Sequence, residues 1–369
     1  MKARRILFLL AVLLSLNSFA QQKSLLDSIN IYGSLRAHLA VYDRAIEMQN
    51  NGSRFGFNLD RNVIGGFTAE AKVELGINLL KNNNSFKSDA ATADNPNAYL
   101  VETVKPITTR LGYIGFESPK WGTLRIGKQW GVYYDVSAYT DNFNVFGGSA
   151  SGTYNTSTDG GGEGTGRAES AISYHKTIRN LSMGVQAQFP LHTFNCGGSL
   201  LYKLPLGFTI GAAYNYYEIP ESLKLAVANF QDVAHSAVGL LMYNSQKSML
   251  AFTFAYNQSE SQYPTDSTIV GFAANGTEFY AHHYFTKKLL GLAGFNLLKP
   301  TGTNNSLPDG FKIFTIMAGA AYTIVPDLFC YSEFQINNGV LISGEKGNNV
   351  FTVGLKYNFS FGRGNFIKY

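Results

Sequence analysis

The chain is poor in cysteine, proline and charge. Only two of its 369 residues are cysteines, Cys196 and Cys330, which is too few for a disulfide scaffold, and we expect both to be unpaired. Charged residues make up 15% of the sequence, and the formal net charge is only +5. This near-neutral balance gives no electrostatic basis for nucleic-acid binding.

Long apolar runs are scarce as well. After the first twenty residues, no segment has eighteen consecutive apolar residues, which excludes a transmembrane helix there. The first twenty residues differ from the rest, because basic residues precede a short apolar stretch that ends near Ala20. This order is typical of a secretory signal peptide, and the stretch is too short for a membrane anchor. We therefore predict a leader at 1–20 and a single mature domain at 21–369.

Apolar and polar residues alternate in many stretches of the sequence. In the cleanest run, 67–79, every odd position is apolar and the positions between are polar or small. A period of two predicts a β-strand with two different faces. A soluble sandwich alternates in the same way. The best runs, however, reach the roughly 9–11 residues that a tilted strand needs to cross a bilayer.

Sixteen strands can be assigned on this basis, and their connections fall into two lengths. The strands are 31–42, 53–60, 67–79, 110–116, 121–127, 167–174, 181–189, 196–204, 208–217, 234–243, 249–257, 277–285, 289–298, 311–324, 328–337 and 349–359. Short turns alternate with long loops, which is the pattern of outer-membrane barrels. The predicted fold is all-β, a transmembrane antiparallel barrel of about sixteen strands.

Two stretches fit this pattern poorly. Residues 311–324 are apolar on both faces of the predicted strand. Ten residues follow Phe359, so the sequence leaves open whether the terminal strand ends at Phe359 or at Tyr369.

One connection is far longer than the others that lie between clear strands. After Lys128, about forty residues lack any strand period, and loops of this length usually carry function. Three motifs stand here: GKQWGVYYD at 127–135, YTDNF at 139–143 and FGG at 146–148. Together they resemble the third-loop region of the general trimeric porins of Gram-negative outer membranes.

The resemblance implies both an architecture and a function. The loop, about 129–166, would fold into the lumen of a homotrimeric barrel and narrow a water-filled channel for small hydrophilic solutes and ions. No cofactor, metal or catalytic residue is implied, and His282 and His283 are adjacent, so they point to opposite faces of a strand. The constriction residues that the resemblance implies are Arg54, Arg110, Lys128 and Arg167 on the wall, with Asp141 and Asp135 on the loop.

The loop departs from the family pattern at one position. Asp141 matches the first acidic residue of the family's loop, but the second acidic position is Val145. The resemblance gives Asp135 mainly an anchoring role. With its acidic side depleted, the constriction is expected to be neutral or mildly anion-favouring. Independently of the resemblance, the three arginines lie on the polar faces of their strands, as lumen charges must.

Other functions stay open at this point. Tyr133, Tyr134 and Tyr139 suggest a sugar-specific porin, and a phosphate-specific porin is a further alternative. An outer-membrane enzyme would need a nucleophile and base side by side, and no such pair is recognisable. A structural barrel with a plugged lumen is a fourth possibility. The glycine run 160–166 lacks the Gly-Lys-Ser/Thr of a phosphate loop.

The polar loop 81–106 occupies the position of the second loop of the family, which latches onto the adjacent subunit. A disordered extracellular loop is the alternative for this segment.

Overall fold

The computed structural model describes most of the chain between residues 27 and 363. The described ranges are 27–42, 45–80, 105–154, 159–190, 192–221, 232–262, 270–302 and 306–363. The predicted leader at 1–20, nearly all of the predicted loop 81–106 and the terminal Tyr369 lie outside these residues. Within these ranges, no helix has the length and apolar character needed to cross a bilayer.

Seventeen strands account for most of the described residues. They are β1 Ser28–Tyr42, β2 Ala45–Asn50, β3 Arg54–Val63, β4 Phe67–Ile77, β5 Ile107–Ser118, β6 Gly122–Trp130, β7 Arg167–Ile178, β8 Leu181–Gln188, β9 Asn195–Lys203, β10 Phe208–Glu218, β11 Val233–Asn244, β12 Ser248–Gln262, β13 Val270–Tyr284, β14 Leu289–Pro300, β15 Ile313–Val325, β16 Leu328–Asn337 and β17 Val350–Arg363. Among the described residues, the helical elements are a single α-helical turn, α1 at Tyr134–Ser137, and a 3-10 turn at Pro205–Gly207.

The strands form one closed antiparallel sheet. From β3 to β17 each strand pairs with the next along the chain, and β17 returns to pair with β1 from Ile29↔Arg363 to Tyr42↔Val350. The terminal strand therefore contains Phe359 and continues to Arg363. Closure satisfies the backbone N–H and C=O groups of every wall strand, which a strand edge in lipid could not do.

The count of sixteen wall positions is confirmed, with one additional short strand. β2 pairs with the second half of β1 and β3 with the first half, so the two share one position in the wall. At the break between them, the Ser53 hydroxyl accepts a hydrogen bond from the Arg36 N–H at 2.8 Å and donates to the Arg36 carbonyl at 2.9 Å. A side chain thus replaces the missing ladder bonds.

The two faces of the wall differ in composition in the way the alternation predicted. Large apolar side chains are exposed on one face, for example Ile114 at 64% and Leu355 at 54%. Polar side chains are buried on the other face, for example Asn215 and Thr352, both at 0%. This arrangement is the inverse of a soluble protein and suits a wall with lipid outside.

Several strand ends run further than the alternation predicted. The connection between the predicted strands 249–257 and 277–285 is shortened at both ends, because β12 extends to Gln262 and β13 begins at Val270. The added residues are mainly polar or small, so they carry no apolar face to detect. A register shift between Asn257 and Glu260 also interrupts the period.

The structure explains why β15 is apolar on both faces. Met317 lies in a buried cluster with Val145 and Phe146 of the long loop, and Ile313 lies in another with Ala150 of the same loop. The face of β15 that would otherwise be polar is therefore covered by protein. The two cysteines, Cys196 and Cys330, are free thiols, as predicted.

Candidate functional site: the long loop and the cationic wall

The long loop begins where β6 leaves the regular ladder. The register shifts between Gly127 and Gln129, and Gly127 has a φ of 134° that favours glycine. Bulges re-aim the side chains around them. The Trp130 ring then stacks on Tyr134 of α1, with centroids 4.1 Å apart and planes 13° apart. We call residues 131–166 the β6–β7 loop; residues 155–158 of it lie outside the described structure.

The near end of the β6–β7 loop is fixed to the wall by Asp135. Its carboxylate accepts a hydrogen bond from the Ser199 hydroxyl of β9 at 2.7 Å and from His175 Nε2 of β7 at 3.0 Å. One side chain of α1 is thereby bound to two strands, which determines where the helical turn sits.

Asp141 organises the loop internally. Its carboxylate accepts hydrogen bonds from the Tyr134 hydroxyl at 2.9 Å and the Tyr154 hydroxyl at 2.6 Å, and from the Gly148 N–H at 3.3 Å. Burial raises the pKa of Asp141, although these three donors oppose the rise. The carboxylate therefore holds three parts of the loop together.

Glu333 of β16 holds the tip of the loop. This side chain is 1% exposed. One carboxylate oxygen accepts from the backbone N–H and side-chain amide of Asn144, at 2.6 and 3.0 Å. The other accepts from the N–H groups of Val145 and Phe146, at 2.8 and 3.4 Å. A buried wall carboxylate thus receives four donors from three consecutive loop residues, which compensates the cost of its burial.

Glu278 of β13 binds the next part of the β6–β7 loop in the same way. It is fully buried and accepts hydrogen bonds from the N–H groups of Ala150 and Ser151, at 2.7 and 2.8 Å, and from the Thr140 hydroxyl. On β14, the Asn296 amide donates to the Gly147 carbonyl at 2.7 Å. The loop is therefore attached to the polar faces of three strands far from β6 and β7 along the wall.

The predicted wall arginines Arg54 and Arg110 meet at a carboxylate on β4. Arg110 Nε donates to Glu74 at 2.8 Å, and Arg54 Nη1 lies 3.8 Å from the same oxygen. The other oxygen of Glu74 accepts from the Tyr32 hydroxyl at 2.9 Å. These two arginines are thus brought together, but their carboxylate is on the wall rather than on the loop.

Lys128 and Arg167 form a second group with loop residue Asp159. Lys128 Nζ and Arg167 Nε lie 3.1 and 3.2 Å from the same Asp159 oxygen, and Lys128 also pairs with Glu169 at 2.7 Å. Burial raises the pKa of Asp159, but the charges of Arg167 and Lys128 outweigh burial and hold that pKa below its usual range. Asp159 therefore stays ionised between its two cations.

The predicted loop residues Asp135 and Asp141 are directed into anchoring and loop-internal contacts, as described above. Val145, which replaces the family's second acidic residue, is 5% exposed and packs in an apolar cluster. Sequence reasoning missed Glu278 and Glu333, because a single carboxylate in a strand gives no sign that a distant loop will cover it. Glu74 lies on the polar face that the alternation predicts for 67–79, so the sequence alone indicated that its side chain faces the barrel interior.

The aromatic ladder that would favour a sugar-specific porin is largely used for packing. Tyr133 is fully buried, and its hydroxyl donates to the Ser151 carbonyl at 2.7 Å. Tyr134 is stacked on Trp130 and bound to Asp141. Only Tyr139 of the three has neither a described ring stack nor a described hydroxyl partner, and it packs against a hydrophobic cluster.

Comparison with known proteins agrees with this architecture. The sequence profile of the Gram-negative porin family matches residues 8–364. Outer membrane porin C of Serratia marcescens is 23% identical over 365 residues, which cover 90% of this chain and 92% of the relative. Outer membrane porin F of Xenorhabdus nematophila is 25% identical over 291 residues, covering 68% of this chain and 74% of the relative.

Solved structures share the fold at low sequence identity. OmpF of Salmonella typhi, in complex with daunomycin, superposes with a TM-score of 0.73 at 18% identity and covers 90% of this chain and 97% of its own. An anion-selective porin from Comamonas acidovorans gives 0.65 at 15% identity, with 90% and 100% coverage. With a family profile that spans nearly the whole sequence and a closed barrel of the same fold, the chain belongs to the Gram-negative porin family of the outer membrane.

Proposed function

We propose that the chain forms a water-filled channel through which small hydrophilic solutes and ions diffuse passively across the outer membrane. The observation that carries the proposal is the path of the β6–β7 loop. In a closed wall, a segment that leaves between β6 and β7 can bind the polar faces of β13, β14 and β16 only by crossing the interior. Sixteen strands enclose an interior wide enough for such a loop and for water.

The filter would be formed by the residues that the resemblance implied. Arg54, Arg110, Lys128 and Arg167 stand on the polar faces of strands, while Asp141 and Asp135 are occupied by other contacts. Cations on one side without free carboxylates opposite favour anions, and salt screening keeps such a preference modest. The packing of Tyr133 and Tyr134 supports a general rather than a sugar-specific channel.

The proposed function involves no catalysis. Asp135, His175 and Ser199 lie together and are the three residue types of a hydrolase triad, but Ser199 donates to Asp135 and not to the histidine. A serine nucleophile needs its base within hydrogen-bond reach of the hydroxyl proton. The arrangement instead supports an anchoring role for the three residues.

The proposal also includes how the chain is processed and assembled. We expect the leader 1–20 to be removed, the mature barrel 21–369 to fold as one domain, and three copies to associate. A structural neighbour, OmpT of Vibrio cholerae, occurs in a trimer form and superposes with a TM-score of 0.64 at 13% identity.

Single-channel recording in a planar bilayer tests the function. The purified protein should insert with current steps in groups of three, and a salt gradient should give a reversal potential of mild anion preference. An E74Q variant is the matched test of the filter, because it leaves both wall arginines without their carboxylate and should increase the anion preference. Absence of any conductance from folded protein would overturn the channel proposal.

A further inference from the structure

A second group of cations lies beside the predicted constriction, on the strands that close the barrel. Arg36 of β1 and Lys356 of β17 stand directly opposite each other in the antiparallel register. The next pair on the same face, two residues along, is Ser34 and Asn358. Arg54 of β3 stands opposite Ser34 of β1, two residues from Arg36 on the same face, so the three cations share one region of the polar face.

The two central cations, Arg36 and Lys356, have no close counter-charge among the residues that the structure describes. In the described parts of the chain, no carboxylate oxygen lies within 4.0 Å of Arg36 or Lys356. Glu333 is the carboxylate whose charge acts on Lys356, but both of its oxygens already receive N–H groups of the β6–β7 loop. Among the described residues, the carboxylate within 4.0 Å of Arg54 is that of Glu74, at 3.8 Å, which binds Arg110 more closely.

The guanidinium of Arg36 is nevertheless held in place. Its Nε donates to the Ser34 hydroxyl at 2.7 Å, and that hydroxyl donates to the Asn358 side-chain oxygen at 2.7 Å. Its two terminal nitrogens have no described protein partner. Arg54 Nε is buried and also has no described partner. The Arg36 terminal nitrogens are not among the buried atoms, so they are open to the lumen and can donate to a bound anion, whereas the buried Arg54 Nε is costly unless something accepts from it.

Neutral groups complete the surroundings of the three cations. The Tyr331 hydroxyl accepts from the Asn51 amide at 2.8 Å, and Asn51 also donates to the Asn144 carbonyl at the tip of the loop at 2.7 Å. The Tyr331 ring lies against Gly354, two residues from Lys356 on the same face of β17, which places this hydroxyl near the cations. The described surroundings therefore combine fixed positive charge with hydrogen-bond donors, and no free carboxylate lies among them.

We propose that Arg36, Lys356 and Arg54 form a binding site for a small oxyanion with two negative charges. Three like charges held together are mutually unfavourable, and a dianion relieves that repulsion more than chloride does. A guanidinium fork also matches two oxygens of one anion, which chloride cannot offer. Phosphate, sulfate and small dicarboxylates share this chemistry. The proposal deepens the channel function and rests on it, since the anion would reach the site through the lumen.

Sulfate is the first probe, because it is a dianion throughout the neutral range. In single-channel recording in potassium chloride, added sulfate should lower the current at millimolar concentrations. R36Q and K356Q should each raise the half-blocking concentration by about tenfold, the effect of losing one charge-assisted contact. K72Q is the matched control: Lys72 also lacks a described carboxylate within 4.0 Å and lies 5.2 Å over the Tyr32 ring. It stands opposite Asn58, four residues along β3 from Arg54, and the charges of Glu74 and Glu70 act on it, so it belongs with the Glu74 group and not with Arg36 and Lys356. K72Q should leave the block unchanged.

The outcomes separate the site from the channel. Conductance in chloride without any sulfate block would overturn the site and leave the channel function standing, and so would an equal shift in K72Q, which would indicate bulk lumen charge. If chloride conductance itself is absent, calorimetric titration of the detergent-folded protein with sulfate still decides the site. R36K keeps the charge and should fold, yet it should still weaken sulfate because the planar fork is lost. Phosphate and succinate, titrated in the same way, distinguish the anions.

Discussion

Replacing Glu333 by glutamine should release the tip of the β6–β7 loop from the wall. The carboxylate accepts four hydrogen bonds, two on each oxygen, all from Asn144, Val145 and Phe146. Glutamine keeps one accepting oxygen and turns an NH2 group toward two N–H donors. Two hydrogen bonds to a charged group are then lost, each worth about 1.5–3 kcal/mol, so the attachment of these residues weakens by about 3–6 kcal/mol.

Amide hydrogen exchange of the folded barrel in detergent measures this directly. Because every 1.4 kcal/mol corresponds to a factor of ten, the amides of 144–146 in E333Q should exchange about 10²–10⁴ times faster than in the wild type. The wall strands should keep their protection, since the ladder bonds of β16 do not involve the side chain.

E70Q is the control for loss of a polar-face carboxylate. Glu70 pairs with Arg125 of β6 at 2.7 Å and makes no described contact with the β6–β7 loop. Exchange at 144–146 should therefore be unchanged in E70Q. If E333Q also exchanges like the wild type, the carboxylate does not hold the loop and the reasoning is refuted.

Three further changes test other contacts of the loop. In G276A, the new methyl would overlap the backbone carbonyl of Ala150, so single-channel conductance should change as the loop shifts; in G239A, where the nearest atom is 3.9 Å away, it should not. Burial and the charges around it raise the pKa of Glu163 to about 7, so lowering the pH from about 8 to about 6 neutralises a carboxylate. The reversal potential should then move toward anions, and E163Q should abolish this step; an equal step in E163Q would contradict the assignment. In D135N, exchange at 134–138 should rise about tenfold with the loss of one charged acceptor, and unchanged exchange would show that α1 is held by other contacts.

The barrel itself was predictable because its physical requirement is local. Each wall strand separates a lipid face from a polar face, so residues such as those at 67–79 carry the period of two in their own sequence. The count of sixteen positions followed from these periods and the sorted loop lengths. The short strand β2 was missed because its six residues, broken from β3 at Asn51–Ser53, are too few to show a period.

The charges on the polar faces and on the loop were predictable from the sequence, but their partners were not, and their place at a constriction stays a prediction. The polar faces identified Arg54, Arg110 and Arg167 as inward charges, and the loop motifs identified Asp135 and Asp141. Which carboxylate each cation would meet depends on strand register and on the course of the loop, neither of which a local pattern contains.

The sequence by itself thus determined the strands of the membrane wall, through their alternation, their length and the two classes of loop, and the motifs of the long loop carried the family resemblance. These signals are local, because each wall strand separates lipid from a polar interior along its own length. Only the tertiary structure decided that Glu278 and Glu333 bind the loop and that β15 is apolar because the loop covers it. It also decided that Arg36 and Lys356 stand opposite each other, with no carboxylate of the described residues within 4.0 Å. These contacts join residues separated by more than a hundred positions, and their energy depends on distances that arise only once the wall has closed.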